Sequence, residues 1–411
     1  MSTPEYTRRS LLAAGATAGA LSVAGCTSLL DDEDDFPGEV ETVVDGLAHP
    51  WALEFVPDEP WLLVTEREGA LRLIDREEDE AATIDGTPDV FAEGQGGLLD
   101  VALHPDFDEE PWVYLTYAAT NDDGESATHL GRGRLEVDDD GEGGALEEFE
   151  ELHVAEPFVE DSGHFGSRAV FGPDGALYVT TGDRQFKDFG PEHVSQDPTN
   201  ELGATLRLEP DGSVPDDNPF VDSEGTELPR ADGDAVDGDD VEDAIYSYGH
   251  RNVQGMTVHP ETDEIWQSEH GEEDGDELNV LEEGGNYGWP IAHTGCEYGT
   301  DEPVGDDPFD DDDIVDPVYY WECNSGGFPP AGMTFYDGDA FEDWQGDLFV
   351  GNLAGEYLGR FSVDGTDVEE TDQLLETRGW RIRDVAVAPD TDYIYVAVDD
   401  ADAPIVRLVP E

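Results

Sequence analysis

A histidine between glycines is the residue of this sequence best suited to acid–base chemistry. His164 lies in the segment Gly163-His-Phe-Gly-Ser-Arg168, where Gly163 and Gly166 would let a small substrate approach the ring closely. An imidazole titrates near neutral pH, so it can accept a proton from a hydroxyl group. The pattern marks His164 as a candidate general base; the alternative is a structural histidine that is hydrogen-bonded in a turn.

Three arginines, Arg251, Arg381 and Arg383, are notable because positive charge is scarce. The 411 residues include 103 Asp and Glu against 18 Lys and Arg, and Lys187 is the only lysine. A guanidinium group binds a carboxylate through two parallel hydrogen bonds. These arginines are therefore candidate binding residues; the alternative is surface ion pairing with the many acidic side chains.

The net charge of −85 is spread along the whole chain. Molar salt shortens the Debye length to about 3 Å, so this distribution is typical of a solvated surface adapted to high salt, as in haloarchaeal proteins. A nucleic-acid partner is disfavoured by the sign of the charge. The hydrophobic fraction of 37% is sufficient for a folded core.

The first 26 residues resemble an export signal rather than part of a fold. Arg8 and Arg9 precede a short apolar stretch, a pattern similar to a twin-arginine signal, and Val23-Ala-Gly-Cys26 resembles a lipobox. We expect export, lipid attachment at Cys26 on the extracellular face of the membrane, and an acidic tether over 27–38. The alternative is an ordinary cleaved signal with an incidental cysteine.

A recurring pattern over 39–411 predicts an all-β fold. Alternating apolar residues, a Pro-Asp or similar turn and a β-branched or aromatic run predict a hairpin in each copy. Six hairpins favour a six-bladed β-propeller over a sandwich or a barrel. Val40–Val44 and Ile405–Val409 could share one blade and close the ring. The copies begin at Trp51, Asp100, Ala169, Gly255, Gly332 and Asp384.

The inserts between the third and fifth copies are rich in Gly, Asn and Asp, which is typical of binding loops on a rigid scaffold. Cys296 and Cys323 both lie in this region. In an exported protein they could form a disulfide, or they could remain two free thiols.

Several motifs in chain order resemble those of the glucose/sorbosone dehydrogenase family, soluble enzymes that use pyrroloquinoline quinone. The resemblance covers about residues 40–410 and is closer to the aldose dehydrogenase branch than to the classical glucose dehydrogenase branch. The motifs are Gly94-Gln-Gly-Gly-Leu-Leu-Asp100, Gly163-His-Phe-Gly-Ser-Arg168, Leu206-Arg-Leu-Glu-Pro-Asp-Gly-Ser-Val-Pro215, Tyr248-Gly-His-Arg-Asn252, Glu269-His-Gly271, Gly275-Asp-Glu-Leu-Asn279, Asn286-Tyr-Gly-Trp-Pro290 and Arg381-Ile-Arg-Asp384.

The resemblance implies oxidation of the C1 hydroxyl of an aldose to a lactone, with electrons passed to an external acceptor. No side chain accepts a hydride, so a cofactor is required. By resemblance, His164 is the base, Arg251 and Asn252 face the quinone oxygens, and Arg381 and Arg383 hold cofactor carboxylates. Gln95 adds an amide contact. The protein would be a monomer or a homodimer.

Calcium is also implied by the resemblance. The carbonyls of Gly271 and Glu272 would bind a calcium ion that touches the quinone, although family members usually carry proline at position 272. A second calcium would use the backbone of His270 together with Asp276, Glu277 and Tyr287. Oxygen ligands of this kind suit a hard cation; the alternative is that the acids are ordinary surface charge.

Three further features depart from the family pattern. The aromatic residue that covers the cofactor would be Trp321 or Phe328, because the alignment shifts there. A lysine of the glucose dehydrogenase branch falls near 352–356, where this chain has none. Arg184 stands where one branch has a cofactor-binding glutamine.

Two other functions remain open at the level of the sequence. Six-bladed propellers with calcium also include lactonases and related hydrolases, but those do not explain Arg381 and Arg383. A propeller that binds sugar without catalysis would not require His164 and Arg251.

Overall fold

The computed structural model describes residues 38–76, 80–138, 141, 143–221, 227–229 and 235–410. Over these residues the chain forms 28 strands and five short 3-10 helices, with no α-helix among them. The prediction of an all-β fold is therefore confirmed. The predicted signal, Cys26 and the tether up to residue 37 lie outside the described residues.

The first fourteen strands reach from the beginning of the described chain to residue 237. They are β1 (Gly38–Leu47), β2 (Pro50–Phe55), β3 (Trp61–Glu66), β4 (Ala70–Asp75), β5 (Glu80–Asp85), β6 (Leu98–Leu103), β7 (Trp112–Thr120), β8 (Ser126–Val137), β9 (Gly144–Val154), β10 (Ala169–Phe171), β11 (Leu177–Thr180), β12 (Ala204–Leu208), β13 (Glu227–Pro229) and β14 (Ala235–Asp237).

The other fourteen strands continue to the end of the described chain. They are β15 (Ile245–Tyr248), β16 (Val253–Val258), β17 (Ile265–Glu269), β18 (Glu277–Val280), β19 (Ala292–Cys296), β20 (Pro303–Gly305), β21 (Tyr319–Tyr320), β22 (Pro330–Phe335), β23 (Leu348–Asn352), β24 (Tyr357–Asp364), β25 (Asp367–Leu374), β26 (Ile382–Val387), β27 (Ile394–Val398) and β28 (Ala403–Pro410). The 3-10 helices are Val194–Gln196, Gly238–Asp240, Pro308–Asp310, Glu342–Trp344 and Glu376–Arg378.

All six predicted hairpins form, as β2–β3, β6–β7, β10–β11, β16–β17, β22–β23 and β26–β27. A continuous run of apolar residues buries both faces of a strand, as in β3, where Leu62, Leu63 and Val64 are all fully buried. The turn residues between the paired strands allow the chain to reverse. The repeated pattern therefore determines the local structure in each copy.

The hairpins belong to five larger sheets. Four sheets have four strands, in the orders β1-β28-β27-β26, β10-β11-β12-β15, β16-β17-β18-β21 and β22-β23-β24-β25. The fifth has eight strands, in the order β2-β3-β4-β5-β9-β8-β7-β6, and its β5 and β9 are parallel through two residue pairs only. The pairs β13-β14 and β19-β20 form two small sheets.

The first strands of the six hairpins contact one another in a closed series. Strand β2 contacts β6 and β26, strand β10 contacts β6 and β16, and strand β22 contacts β16 and β26. Strand β1 pairs with β28, and Val40 lies opposite Leu408, so the first and last strands share one sheet as predicted. The hydrophobic core lies between neighbouring sheets, for example where Tyr114 and Leu130 meet Leu177 and Leu206.

Cys296 and Cys323 form a disulfide, with their Cα atoms 5.5 Å apart. It joins the end of β19 to the loop that follows β21, which settles the alternative that the sequence left open. Among the described residues, no helix is both long and apolar enough to span a bilayer.

The charge of this fold predicts dependence on salt. Acidic runs such as Asp310–Asp313 are exposed, so their mutual repulsion destabilises the folded state at low ionic strength. Raising sodium chloride from about 0.2 M to about 3 M is expected to raise Tm by roughly 10 °C or more, as followed by circular dichroism. Sucrose is the control for exclusion of co-solutes from the surface. A Tm that is unaffected by salt would contradict the prediction.

Candidate active site

The predicted site residues gather at one end of the hairpins because of their position along the strands. Many of them lie just before the first strand of a hairpin or just after its second strand, and these two points are adjacent in an antiparallel pair. Gln95, His164 and Asn252 precede β6, β10 and β16, whereas His270 follows β17. Loops from different sheets thus bring together residues that are far apart in the sequence.

His164 is held by a buried carboxylate. Its Nδ1 lies 2.6 Å from Oδ1 of Asp183, and Oδ2 of the same aspartate accepts a hydrogen bond of 2.9 Å from Nε1 of Trp289. The pairing assigns the proton to Nδ1, while Nε2 makes no hydrogen bond with any described residue. His164 therefore presents Nε2 as the nitrogen that can accept a proton.

Two features of the backbone hold the histidine in this position. A Cβ atom at Gly182 would lie 2.2 Å from the carbonyl oxygen of His164, so only glycine allows the two segments to approach this closely. The backbone N–H of His164 donates to Oε1 of Gln95 at 2.8 Å. The glycine and the glutamine together fix the loop that carries the imidazole.

The protonation states of the pair suit a base. Burial and the positive charge of Arg251 lower the pKa of His164 below its usual value, so the imidazole is neutral near pH 7. Burial alone would raise the pKa of Asp183, but its hydrogen bond with His164 and the charges of neighbouring groups such as Arg251 together outweigh this effect, and the pKa is lowered. A neutral histidine beside an ionised aspartate results.

Arg184 supports the same loop. Its guanidinium group donates to the carbonyls of Gly163, Ser126 and Asp161 and to the hydroxyl of Ser126, at 2.6 to 2.9 Å. The group lies 3.9 Å from the ring centroid of Phe165. Burial lowers its pKa to about 10. These contacts occupy the donors of Arg184, so its side chain supports the loop that carries His164.

A cavity of about 270 Å³ adjoins Gln95 and His270. Arg381 and Arg383 lie on its wall, and both approach Oδ2 of Asp399, at 3.5 and 2.7 Å. Asp399 also accepts a hydrogen bond from Nδ1 of His49 at 2.9 Å. The predicted carboxylate-binding pair is therefore assembled in one place and oriented by a single aspartate.

Arg251 and Asn252 carry buried polar atoms without partners. Nη2 of Arg251 lies 2.8 Å from Oε2 of Glu272, whose carboxylate also receives Lys187 at 2.8 Å. Nε of Arg251 and Nδ2 of Asn252 make no hydrogen bond, although both atoms are inaccessible to solvent. A buried donor without an acceptor is costly, so this pair fits a ligand that presents oxygen atoms.

The residues predicted to bind calcium fall into two groups. The carbonyls of the buried residues Gly271 and Glu272 accept no hydrogen bond from the described residues, which suits a hard cation. By contrast, both carboxylate oxygens of Asp276 accept backbone N–H groups, from Gly271 and Phe328. The two carbonyls of the first set are therefore available as oxygen ligands.

The second set is engaged in other interactions. The hydroxyl of Tyr287 donates to the carbonyl of Val280 and accepts from the N–H of Glu282. Burial raises the pKa of Glu277 to about 8 and that of Asp276 to about 6, and the His270 imidazole contacts the carbonyl of Pro330 at 2.5 Å. No group of three or more His, Cys, Asp or Glu side chains in the described ranges is arranged to hold a metal. The side chains of this second set are engaged in other contacts, and their role as calcium ligands stays a prediction.

The aromatic residues occupy different places. Trp321 and Phe328 stack on each other at 4.3 Å and pack among core residues between sheets, away from the cavity wall. Trp51 does line the cavity, and Arg168 lies over its ring at 4.2 Å. The role of Trp321 as the cover of a cofactor stays a prediction, and the Trp51 ring centroid lies 5.9 Å from the guanidinium carbon of Arg383.

Sequence reasoning missed four residues of this site: Asp183, Trp289, Asp399 and Arg67, which also lines the cavity. A positional signal was available for three of them. Asp183, Asp399 and Arg67 each follow the second strand of a predicted hairpin, at the end where the other site residues converge. Trp289 lies within a motif that was recognised without assigning it a role.

The chain is similar to known proteins over most of its length. The family model described as Glucose / Sorbosone dehydrogenase matches residues 47–407. The aldose sugar dehydrogenase YliI of Escherichia coli (strain K12) is 37% identical over 378 residues, which cover 90% of this chain and 92% of the relative.

Solved structures show the same similarity. The soluble aldose sugar dehydrogenase from Escherichia coli in the apo-form has a TM-score of 0.79 and 36% identity, covering 91% of this chain and 99% of that one. The PQQ-bound form of the aldose sugar dehydrogenase from Streptomyces coelicolor has a TM-score of 0.67 and 28% identity, covering 90% and 98%.

The contact between His164 and Asp183 predicts a change in titration. In Asp183→Asn the negative charge that favours the imidazolium is lost, so the pKa of His164 is expected to fall further below its usual value. NMR titration of the histidine ring measures this change. Asp188→Asn is the matched control, because Asp188 is exposed on the same loop, and it should leave the pKa unchanged. An unchanged or raised pKa in Asp183→Asn would contradict the assignment.

Proposed function

The chain belongs to the glucose/sorbosone dehydrogenase family, and from that premise we propose that it oxidises the C1 hydroxyl of aldose sugars to lactones. Pyrroloquinoline quinone and calcium are the proposed cofactors, and an external acceptor receives the electrons. The observation that carries the proposal is the neutral His164, held by Asp183 through Nδ1 with Nε2 free. Its backbone N–H is bonded to Gln95, which lines a cavity with several arginines on its wall.

His164 removes the hydroxyl proton in this proposal. Oxidation at C1 breaks the O–H and C1–H bonds and forms the carbonyl; the proton goes to Nε2 of His164. The hydrogen bond to Asp183 keeps Nδ1 protonated and stabilises the imidazolium that forms. Asp183 therefore acts as a positioning residue for the base.

The cofactor supplies what the side chains cannot: when bound, the quinone accepts the hydride from C1. Arg381 and Arg383 would hold its carboxylates, and Gln95 lines the same cavity. Arg251 and Asn252 offer the unpaired donors Nε and Nδ2 to oxygen atoms of a bound group. Donors that are already oriented in a buried site stabilise developing negative charge at little cost in reorganisation.

Calcium would be held by the carbonyls of Gly271 and Glu272, and when bound it supplies a positive charge that polarises an adjacent carbonyl. The Glu272 side chain has a separate role. Its carboxylate pairs with Arg251 and Lys187, so it positions the Arg251 guanidinium group at the site. A proline at position 272, which family members usually carry, would lack this contact.

The scaffold of the proposed enzyme is a six-bladed propeller. The number of blades is six when the eight-stranded sheet is taken as two blades, which are joined by the short parallel contact of β5 and β9. Support comes from the six hairpins and from the ring of contacts among β2, β6, β10, β16, β22 and β26.

The activity is tested with the chain from Asp31 onward, folded in molar salt with calcium. Glucose and other aldoses are expected to reduce an artificial dye only when pyrroloquinoline quinone is present. In His164→Ala the loss of the base should lower kcat by about 10²- to 10⁴-fold. His104→Ala is the control, because His104 lies in the β6–β7 turn, at the opposite end of the hairpins, and it should retain activity.

Three outcomes contradict the proposal. The protein has a different function if it is folded and loaded with calcium but neither binds quinone nor reduces dye. Hydrolysis of a sugar lactone without quinone would favour the hydrolase alternative. Sugar binding without either reaction would favour a propeller that only binds.

Export and lipid anchoring are also proposed. Arg8 and Arg9 before an apolar stretch, and the lipobox that ends at Cys26, support them. In a host with twin-arginine export, Cys26→Ser is expected to move most of the protein from the membrane fraction to the medium. Lysines at both Arg8 and Arg9 should retain it in the cytoplasm. Thr27→Ser is the control, and Cys26→Ser protein that stays with the membrane would contradict the lipid anchor.

A further inference from the structure

Arg67 is a cation without a partner on the wall of the cavity. It lines the same cavity as Arg381 and Arg383, immediately after β3. Those two arginines share Asp399, whereas the Arg67 guanidinium group makes no hydrogen bond or ion pair with any described residue. In a chain with 103 acidic residues, an unpaired arginine at this place requires an explanation.

The position of Arg67 is built into the fold. Its N–H donates to the carbonyl of His49, and its own carbonyl accepts from the N–H of Leu98, each at 3.1 Å. A Cβ atom at Gly97 would lie 2.0 Å from the Arg67 carbonyl oxygen and 2.6 Å from its Cγ, so glycine is required there, at a φ of +142°. The segment that carries Gln95 thus also holds Arg67 against the cavity.

The charges around the cavity are unbalanced in favour of an anion. Arg67, Arg381 and Arg383 supply three positive charges, and Asp399 is the acidic residue on the same wall. Arg383 is buried, and Asp399 already occupies its Nη2 and contacts Nη2 of Arg381. Arg67 alone presents all of its guanidinium donors, a fork that matches the geometry of a carboxylate.

We propose that Arg67 is a third carboxylate-binding arginine of the cofactor cavity. This inference rests on the proposed function, because the ligand is pyrroloquinoline quinone, which carries three carboxylates. Arg381 and Arg383 bind one part of the cofactor. Arg67, which lies on the cavity wall at the end of β3, binds one of the cofactor carboxylates. The residue contributes to cofactor affinity and orientation and does not take part in proton transfer.

Direct binding of the cofactor tests the proposal without an activity assay. Pyrroloquinoline quinone is titrated into the calcium-loaded chain from Asp31, and Kd is taken from the quinone absorbance. Arg67→Met, which keeps an unbranched stem against Gly97, is expected to raise Kd by about tenfold or more, since a charge-assisted bidentate contact is lost. Arg67→Gln is the second variant, and Arg134→Gln on β8, outside the cavity, is the control with unchanged Kd.

A cofactor derivative separates a carboxylate contact from a structural role. The trimethyl ester of pyrroloquinoline quinone has no carboxylate, so wild type and Arg67→Met are expected to bind it with the same Kd. Equal weakening of both ligands in the variant would mean that Arg67 only supports the cavity, and the inference would be wrong.

The outcomes also distinguish this inference from the proposed function. If wild type binds the quinone and both folded Arg67 variants bind it equally well, Arg67 holds no carboxylate and the proposed function stands. If wild type binds no quinone, the proposed function fails and this inference fails with it.

Discussion

The buried carboxylate of Asp183 is the contact on which the arrangement of the site depends. It accepts Nδ1 of His164 at 2.6 Å and Nε1 of Trp289 at 2.9 Å, and it thereby ties together loops that precede β10, follow β11 and follow β18. The ring of hairpins brings these loops to one end, but it does not orient an imidazole. The aspartate supplies that orientation and, through its charge, keeps Nε2 as the free basic nitrogen.

The scarcity of positive charge organises the rest of the site. Of the 18 Lys and Arg side chains, six stand on the cavity wall or the loops beside it: Arg67, Arg184, Lys187, Arg251, Arg381 and Arg383. A surface with so many acids repels anions, so a carboxylate ligand needs a local region of opposite sign. The acidic partners Asp399 and Glu272 orient Arg383 and Arg251 within that region.

Patterns that repeat were readable from the sequence, whereas single contacts were not. Alternating apolar residues and Pro-Asp turns predicted all six hairpins, and the shared sheet of β1 and β28 followed from the two terminal strand patterns. His164 was found from its imidazole chemistry and its glycine neighbours, and Arg381 and Arg383 were found because positive charge is scarce here. Asp183 is one aspartate among 103 acids, so only its contact with His164 distinguishes it. Trp321 and Tyr287 were selected by motif, and the structure places both side chains in packed surroundings that the sequence could not reveal.

The most direct test of the account is a crystal structure of the chain with pyrroloquinoline quinone and calcium. The account predicts that the cofactor carboxylates lie against Arg67, Arg381 and Arg383, with the quinone oxygens near Arg251 and Asn252. Calcium should lie on the carbonyls of Gly271 and Glu272, and Nε2 of His164 should face the open side of the quinone. A quinone bound elsewhere, or one whose carboxylates avoid the arginines, would contradict the central claim that this cavity is the cofactor site.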